Sequence, residues 1–116
     1  MSENRSTVER YLRAFERPDA APILACLTDD VEWILPGAFH HRGKDAFARE
    51  IRNENFIGDP EIAVTRIVEE GDVVVAEGTV RTQRRDGVWL ELAYCDVFEL
   101  RGGLIRRLVS YVVPMG

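Results

Sequence analysis

Cysteine is scarce: two thiols, Cys26 and Cys95, occur in 116 residues, with no second Cys near either and no C-x-x-C spacing. That pattern suggests neither a disulfide framework nor a thiolate zinc site, and it fits a reducing cytoplasm. Histidine is as rare, with only His40 and His41, and their side chains point different ways. A metal would need carboxylates in addition, so no metal and no cofactor is expected. Basic residues are in deficit, 15 Lys plus Arg against 20 Asp plus Glu, for a net charge of -5. This charge repels a phosphate backbone, which argues against nucleic acid as a partner. Long apolar runs are absent too; Val73-Val74-Val75-Ala76 is far too short to cross a bilayer, and the start Met1-Ser2-Glu3-Asn4-Arg5 lacks the apolar stretch of a secretory signal. Neither membrane insertion nor export is expected. Five prolines and nine glycines are too few for a disordered or collagenous chain, and 46% hydrophobic with 30% charged residues is ordinary globular composition. The length predicts a single domain over residues 1–116.

Ser6-Thr7-Val8-Glu9 has the form of a capping box, so a first helix is expected to start at Ser6. Val8, Tyr11, Leu12 and Phe15 follow at i, i+3, i+4 and i+7 as one apolar stripe, and Arg17-Pro18-Asp19 ends it. Asp19 is suited to cap a short second helix carrying Cys26, with Pro22 tolerated in its first turn and Ile23, Leu24 and Leu27 facing inward. Val31 to Leu35 reads as a strand closed by Pro36-Gly37, followed by a loop through His40 and His41. A third helix is expected from about Lys44 to Phe56, buried through Phe47 and Ile51 and stopped by Gly58-Asp59-Pro60. Beyond it lie four strands, Glu61 to Val68, Val73 to Gln83, Val88 to Leu100 and Leu104 to Val113, separated by turns at Glu70-Gly71-Asp72, Arg85-Asp86-Gly87 and Arg101-Gly102-Gly103.

Alternation along the longest strand puts Val88, Leu90, Leu92, Tyr94, Asp96, Phe98 and Leu100 on one face, which its composition marks as the core face. Asp96 is then a carboxylate among apolar neighbours, and desolvation there raises a carboxyl pKa toward the range useful for proton transfer. The plainer reading is a structural acid, hydrogen-bonded to Tyr11 or to a loop amide. On the last strand the same count sets Leu104, Arg106, Leu108, Ser110 and Val112 against Ile105, Arg107, Val109, Tyr111 and Val113. Neither face is purely polar, and three helices cover only one side of a sheet, so a partner subunit is the economical second cover. Trp89, beside Ala93 and Val97, is its candidate anchor. The arginines near the hairpin tips, with Glu77, Glu91 and Glu99, are expected to form solvated cross-strand pairs.

The element order resembles the nuclear transport factor 2-like superfamily, in its SnoaL-like and ketosteroid-isomerase-like members. The carriers are Val8-Glu9-Arg10-Tyr11-Leu12-Arg13-Ala14-Phe15, Leu27-Thr28-Asp29-Asp30-Val31-Glu32-Trp33, Gly43-Lys44-Asp45-Ala46 and Asp96-Val97-Phe98-Glu99-Leu100-Arg101-Gly102-Gly103-Leu104-Ile105. The resemblance implies an α+β cone: three N-terminal helices packed on a curved, mainly antiparallel sheet, with a pocket at the open end and a homodimer formed through the sheet's outer face. In ketosteroid isomerases a helix tyrosine and a protonated aspartate donate hydrogen bonds to an enolate oxygen while a second aspartate moves the proton. Tyr11 matches that tyrosine and Asp96 the donor acid, but Leu35 stands at the position of the catalytic aspartate. The epoxide-hydrolase branch would require an Arg and an Asp on the Val73 strand and an Asp on the last strand, where this chain has Gly78, Val80 and Ser110.

The implied function is binding of a small apolar organic ligand. If catalytic, it is isomerase- or cyclase-type proton transfer next to a carbonyl, with Asp96 and Tyr11 polarising the oxygen and His40 as base. Trp33, Leu35, Tyr94, Phe98 and Ser110 are the expected ligand-binding residues. A non-catalytic ligand-binding or dimerisation module of the same fold is the alternative.

Overall fold

The amino-terminal helix α1 runs Glu3–Phe15 and starts earlier than the capping box indicates, with Ser2 as N-cap accepting from the Arg5 amide at 3.0 Å. Ser6 is therefore inside the helix, and the neighbouring Thr7 is fully buried. Its hydroxyl lies 2.6 Å from the Gly103 carbonyl, which ties α1 to the last hairpin of the sheet. A long-range contact thus occupies the segment that local pattern read as a helix start. Residues 2–51 and 56–115 are described, in a computed structural model. Asp19 caps α2 (Ala20–Leu24) as expected, accepting from the Ala21 amide. Cys26 lies in the turn after α2 rather than in a helix.

Strand β1 (Leu27–Leu35) begins four residues before its expected start, and β2 (Phe39–Arg42) replaces the expected loop, so His40 and His41 are strand residues. Gly37, at φ 84°, turns the chain between them. Helix α3 covers Lys44–Ile51 and buries Phe47 and Ile51. The expected continuation through residues 52–55 lies outside the described residues, and Phe56 already belongs to β3 (Phe56–Glu70). Gly58-Asp59-Pro60 is therefore no helix stop. These residues sit where the β3 register shifts, between Ile57 and Glu61, on an edge strand that tolerates a proline without breaking a ladder.

Strands β4 (Val73–Arg84), β5 (Trp89–Arg101) and β6 (Leu104–Pro114) complete a sheet of order β2-β1-β6-β5-β4-β3. All three expected turns are present, with Gly71, Gly87, Gly102 and Gly103 at positive φ. Among the described residues only the β1–β6 pairing is parallel, so the sheet is mixed and mostly antiparallel. Tyr94, Asp96, Phe98 and Leu100 share the buried face of β5. On β6 strict alternation fails. Glu99 pairs with Arg107 and Leu100 with Ile105, leaving Arg106 as the extra residue of a bulge. Ile105 and Leu108 consequently both point into the core, and Arg106 and Arg107 both reach Glu99, at 2.6 and 2.9 Å. Cross-strand pairing of the hairpin arginines is seen again in Arg81, which meets Glu61 and Glu91. Among the described residues, no helix is long and apolar enough to cross a membrane.

Candidate functional site

Helix α1 lies against β3, β4 and β6, and between helix and sheet there is an inner chamber of about 160 Å³. Its walls include Leu12 and Phe15 from the helix, Trp33 and Leu35 from β1, and Ile62, Val80 and Val112 from the sheet. Among the described residues four polar side chains interrupt this apolar lining: Tyr11, Tyr94, Asp96 and Ser110. An outer cavity of about 550 Å³ shares Phe15, Trp33, Leu35, Pro60 and Val80 with the chamber and adds Phe39, Glu50, Asp59 and Arg85, so the two are adjacent. Gly58, Asp59 and Pro60, at the β3 irregularity, line the outer cavity.

Asp96 and Ser110 are paired across β5 and β6, and the Ser110 hydroxyl donates to the carboxylate. The same hydroxyl accepts from Trp33 Nε1 at 3.0 Å, and the indole is stacked on Phe47 with ring centroids 4.4 Å apart. The side chain that bonds Asp96 is thus Ser110, rather than Tyr11 or a loop amide. Burial pushes the Asp96 carboxyl up from 3.8 to about 7, against the lowering effect of the Ser110 bond. Near neutrality it exists in both acid and base forms. Tyr11 is buried against Phe15, Phe47 and Phe98. Burial, then the negative charge of Asp96, holds its hydroxyl well above its ordinary value, so it remains a hydrogen-bond donor. Burial followed by the charges of Asp96 and Glu16 raises Tyr94 to about 12, with the same effect.

Six of the eight expected site residues therefore meet around one chamber: Tyr11, Trp33, Leu35, Tyr94, Asp96 and Ser110. Phe98 does not line it; the ring is fully buried edge-on against Tyr11 and belongs to the core. His40 is also elsewhere. Period two along β2 turns Phe39 and His41 to the cavity side and His40 to the other, where its imidazole meets Glu32 at 2.7 Å. That position gives His40 no path to a molecule in the chamber. His41 stacks on Phe39 and bonds Glu50, which lines the outer cavity, at 2.9 Å. Phe15, from the apolar stripe of α1, and Pro60, at the β3 irregularity, also line the chamber beyond the residues expected from the sequence.

The model of the SnoaL-like domain matches residues 8–108. Among solved structures, an NTF2-like protein of unknown function from Burkholderia pseudomallei is 27% identical, covering 95% of this chain and 90% of its own, with a TM-score of 0.88. A Mycobacterium tuberculosis LEH-like epoxide hydrolase is 26% identical over 96% of this chain and 83% of its own, with a TM-score of 0.84. TerC, co-crystallised with polyporic acid, shares the fold at 22% identity, covering 94% of this chain and 90% of its own, with a TM-score of 0.83. No curated protein matches the chain. A family match over nearly the whole chain, joined to the same fold in these structures, establishes that the chain belongs to the SnoaL-like family, within the NTF2-like fold.

Proposed function

We propose that the chain binds a small, largely apolar organic molecule in the inner chamber and polarises one of its carbonyl oxygens through Asp96 and Tyr11. The observation that carries this reading is Asp96 itself: among the described residues, the sole carboxyl lining an apolar chamber, buried, and with a pKa of about 7. In its acid form it donates to the ligand oxygen beside the Tyr11 hydroxyl, which withdraws electrons from the carbonyl and acidifies the neighbouring C–H. The activity this arrangement supports is isomerase- or cyclase-type proton transfer at that carbon. Leu35 favours a second reading, a non-catalytic binding protein, because it offers no proton-carrying atom where the superfamily's base stands. Epoxide hydrolysis, the chemistry in the name of the M. tuberculosis structure, is disfavoured by Gly78, Val80 and Ser110 at the expected Arg, Asp and Asp.

The test uses 2-tetralone, a bicyclic ketone with exchangeable protons beside its carbonyl. Catalysed hydrogen–deuterium exchange in D2O that is lost in D96N supports proton transfer. Binding without exchange supports the carrier. Absence of binding refutes both readings.

The cone expected from the resemblance leaves its outer sheet face for a second copy. Trp89, Tyr111 and Val113 are 48%, 50% and 61% exposed, and the half-buried Ala93 and Val97 continue the patch on β5. A homodimer through this face would cover an apolar area that monomers rarely display. The free thiols Cys26 and Cys95 support a reducing compartment such as the cytoplasm.

A further inference from the structure

Resting on the reading that the chamber holds a small organic molecule, we propose that Tyr94 is a second polar anchor. It would select ligands that carry an acceptor oxygen at each end of a one- or two-ring skeleton. Tyr94 is 6% exposed, and among the described residues its hydroxyl is the one buried side-chain polar atom with no hydrogen-bond partner. Leaving a buried hydroxyl unpaired is costly, and native proteins keep few such groups. This one lines the chamber.

The space around it is built by a glycine. Gly78 pairs with Tyr94 across β4 and β5. It is the one described glycine without a positive φ, so no turn requires it. A Cβ at this position would lie 2.9 Å from the Tyr94 hydroxyl and would overlap the Ala63 carbonyl oxygen of β3. The phenol head therefore sits over β4. Asp96, two residues along the same face of β5, leans the opposite way, toward Ser110 on β6. Two positions of one strand face are about 7 Å apart, and the opposed leanings add to that separation. The Ser110 hydroxyl is already engaged by Trp33 and Asp96, so it does not compete for a ligand at that end. The other described chamber walls, including Leu12, Phe15, Ile62, Val80 and Val112, are apolar. A ligand that touches both heads thus has an apolar body and two separated oxygens. Because Tyr94 stays protonated, it donates, and its ligand atom is an acceptor such as a carbonyl or phenolic oxygen.

Fluorescence titrations with 2-naphthol, which has one oxygen, and 2,6-dihydroxynaphthalene, which has one at each end, test this on the full chain and on Tyr94→Phe. The wild-type protein should bind the diol about five- to tenfold more tightly than the naphthol, beyond the factor of about two that symmetry supplies. Y94F should bind the two ligands to within that symmetry factor of one another. Its melting temperature should be equal or higher, since the variant removes an unpaired buried group. A wild-type protein that does not prefer the diol, or a preference that survives in Y94F, overturns the anchor and leaves the chamber reading intact. A lowered melting temperature in Y94F also overturns it, because the hydroxyl would then have a partner within the fold. Failure of 2-naphthol to bind the wild-type chain overturns the ligand-binding reading, and the anchor with it.

Discussion

Replacing Asp96 with Asn should abolish a large pH-dependent part of the folding free energy. The side chain is 9% exposed, and its carboxyl rises from 3.8 to about 7 on folding. Below pH 3.8 folded and unfolded chains both hold the proton. Between 3.8 and about 7 the unfolded chain has released it while the folded chain keeps it, so each step up in pH favours unfolding. Stability from this group is therefore fully present at low pH, falls as pH rises through that window, and levels off above about 7. At about 1.36 kcal/mol for each pH unit the whole decline amounts to about 4 kcal/mol. Three surface carboxylates act with the opposite sign, being held low by Arg101 at Asp30, by His40 at Glu32 and by the Val88 amide at Asp86. They are common to both proteins and cancel in the difference. Asn retains an acceptor for the Ser110 hydroxyl but leaves amide protons unpaired, an offset that does not vary with pH. Urea unfolding followed by tryptophan fluorescence at pH 5 and pH 8.5 supplies the measurement. D96N should gain about 2–3 kcal/mol relative to wild type between those two values. A difference that is the same at both would show that Asp96 is solvated or ion-paired, and its role as a neutral donor would fall.

Three further outcomes follow from single contacts. Ser110→Ala should raise the Asp96 pKa above about 7, since the lost hydrogen bond is what opposes desolvation, and carbon-detected NMR of the carboxyl reads this directly. Gly78→Ala should destabilise the fold by about 2–3 kcal/mol in thermal or urea unfolding, because the new methyl meets the backbone of β3 rather than a flexible side chain. An unchanged midpoint would mean that β3 moves aside freely. Val97→Arg places a charge in the outer face of the sheet and should give a monomer in sedimentation, whereas a wild-type chain monomeric at micromolar concentration would refute the dimer.

Local sequence was sufficient wherever a signal and its structural consequence lie within a few residues of one another. The three glycine-bearing turns, the Asp19 cap, the apolar stripe of α1 and the alternation that buried Asp96 on β5 all belong to this class. Tertiary structure decided the rest, because it let distant partners override local preference. Thr7 is bound by Gly103, so α1 starts a turn earlier than its capping box. The pair His40 and His41 reads as loop when taken alone. Pairing of Phe39–Arg42 with β1 makes it a strand, and period two then separates the imidazoles onto opposite faces. A bulge of one residue at Arg106 reverses the side on which Ile105 lies, and a two-residue repeat cannot announce where it will be interrupted. The unspent hydroxyl of Tyr94 was least legible of all. Its lack of a partner is a property of the space enclosed by β4, β5 and α1, and that space exists only after those elements have packed.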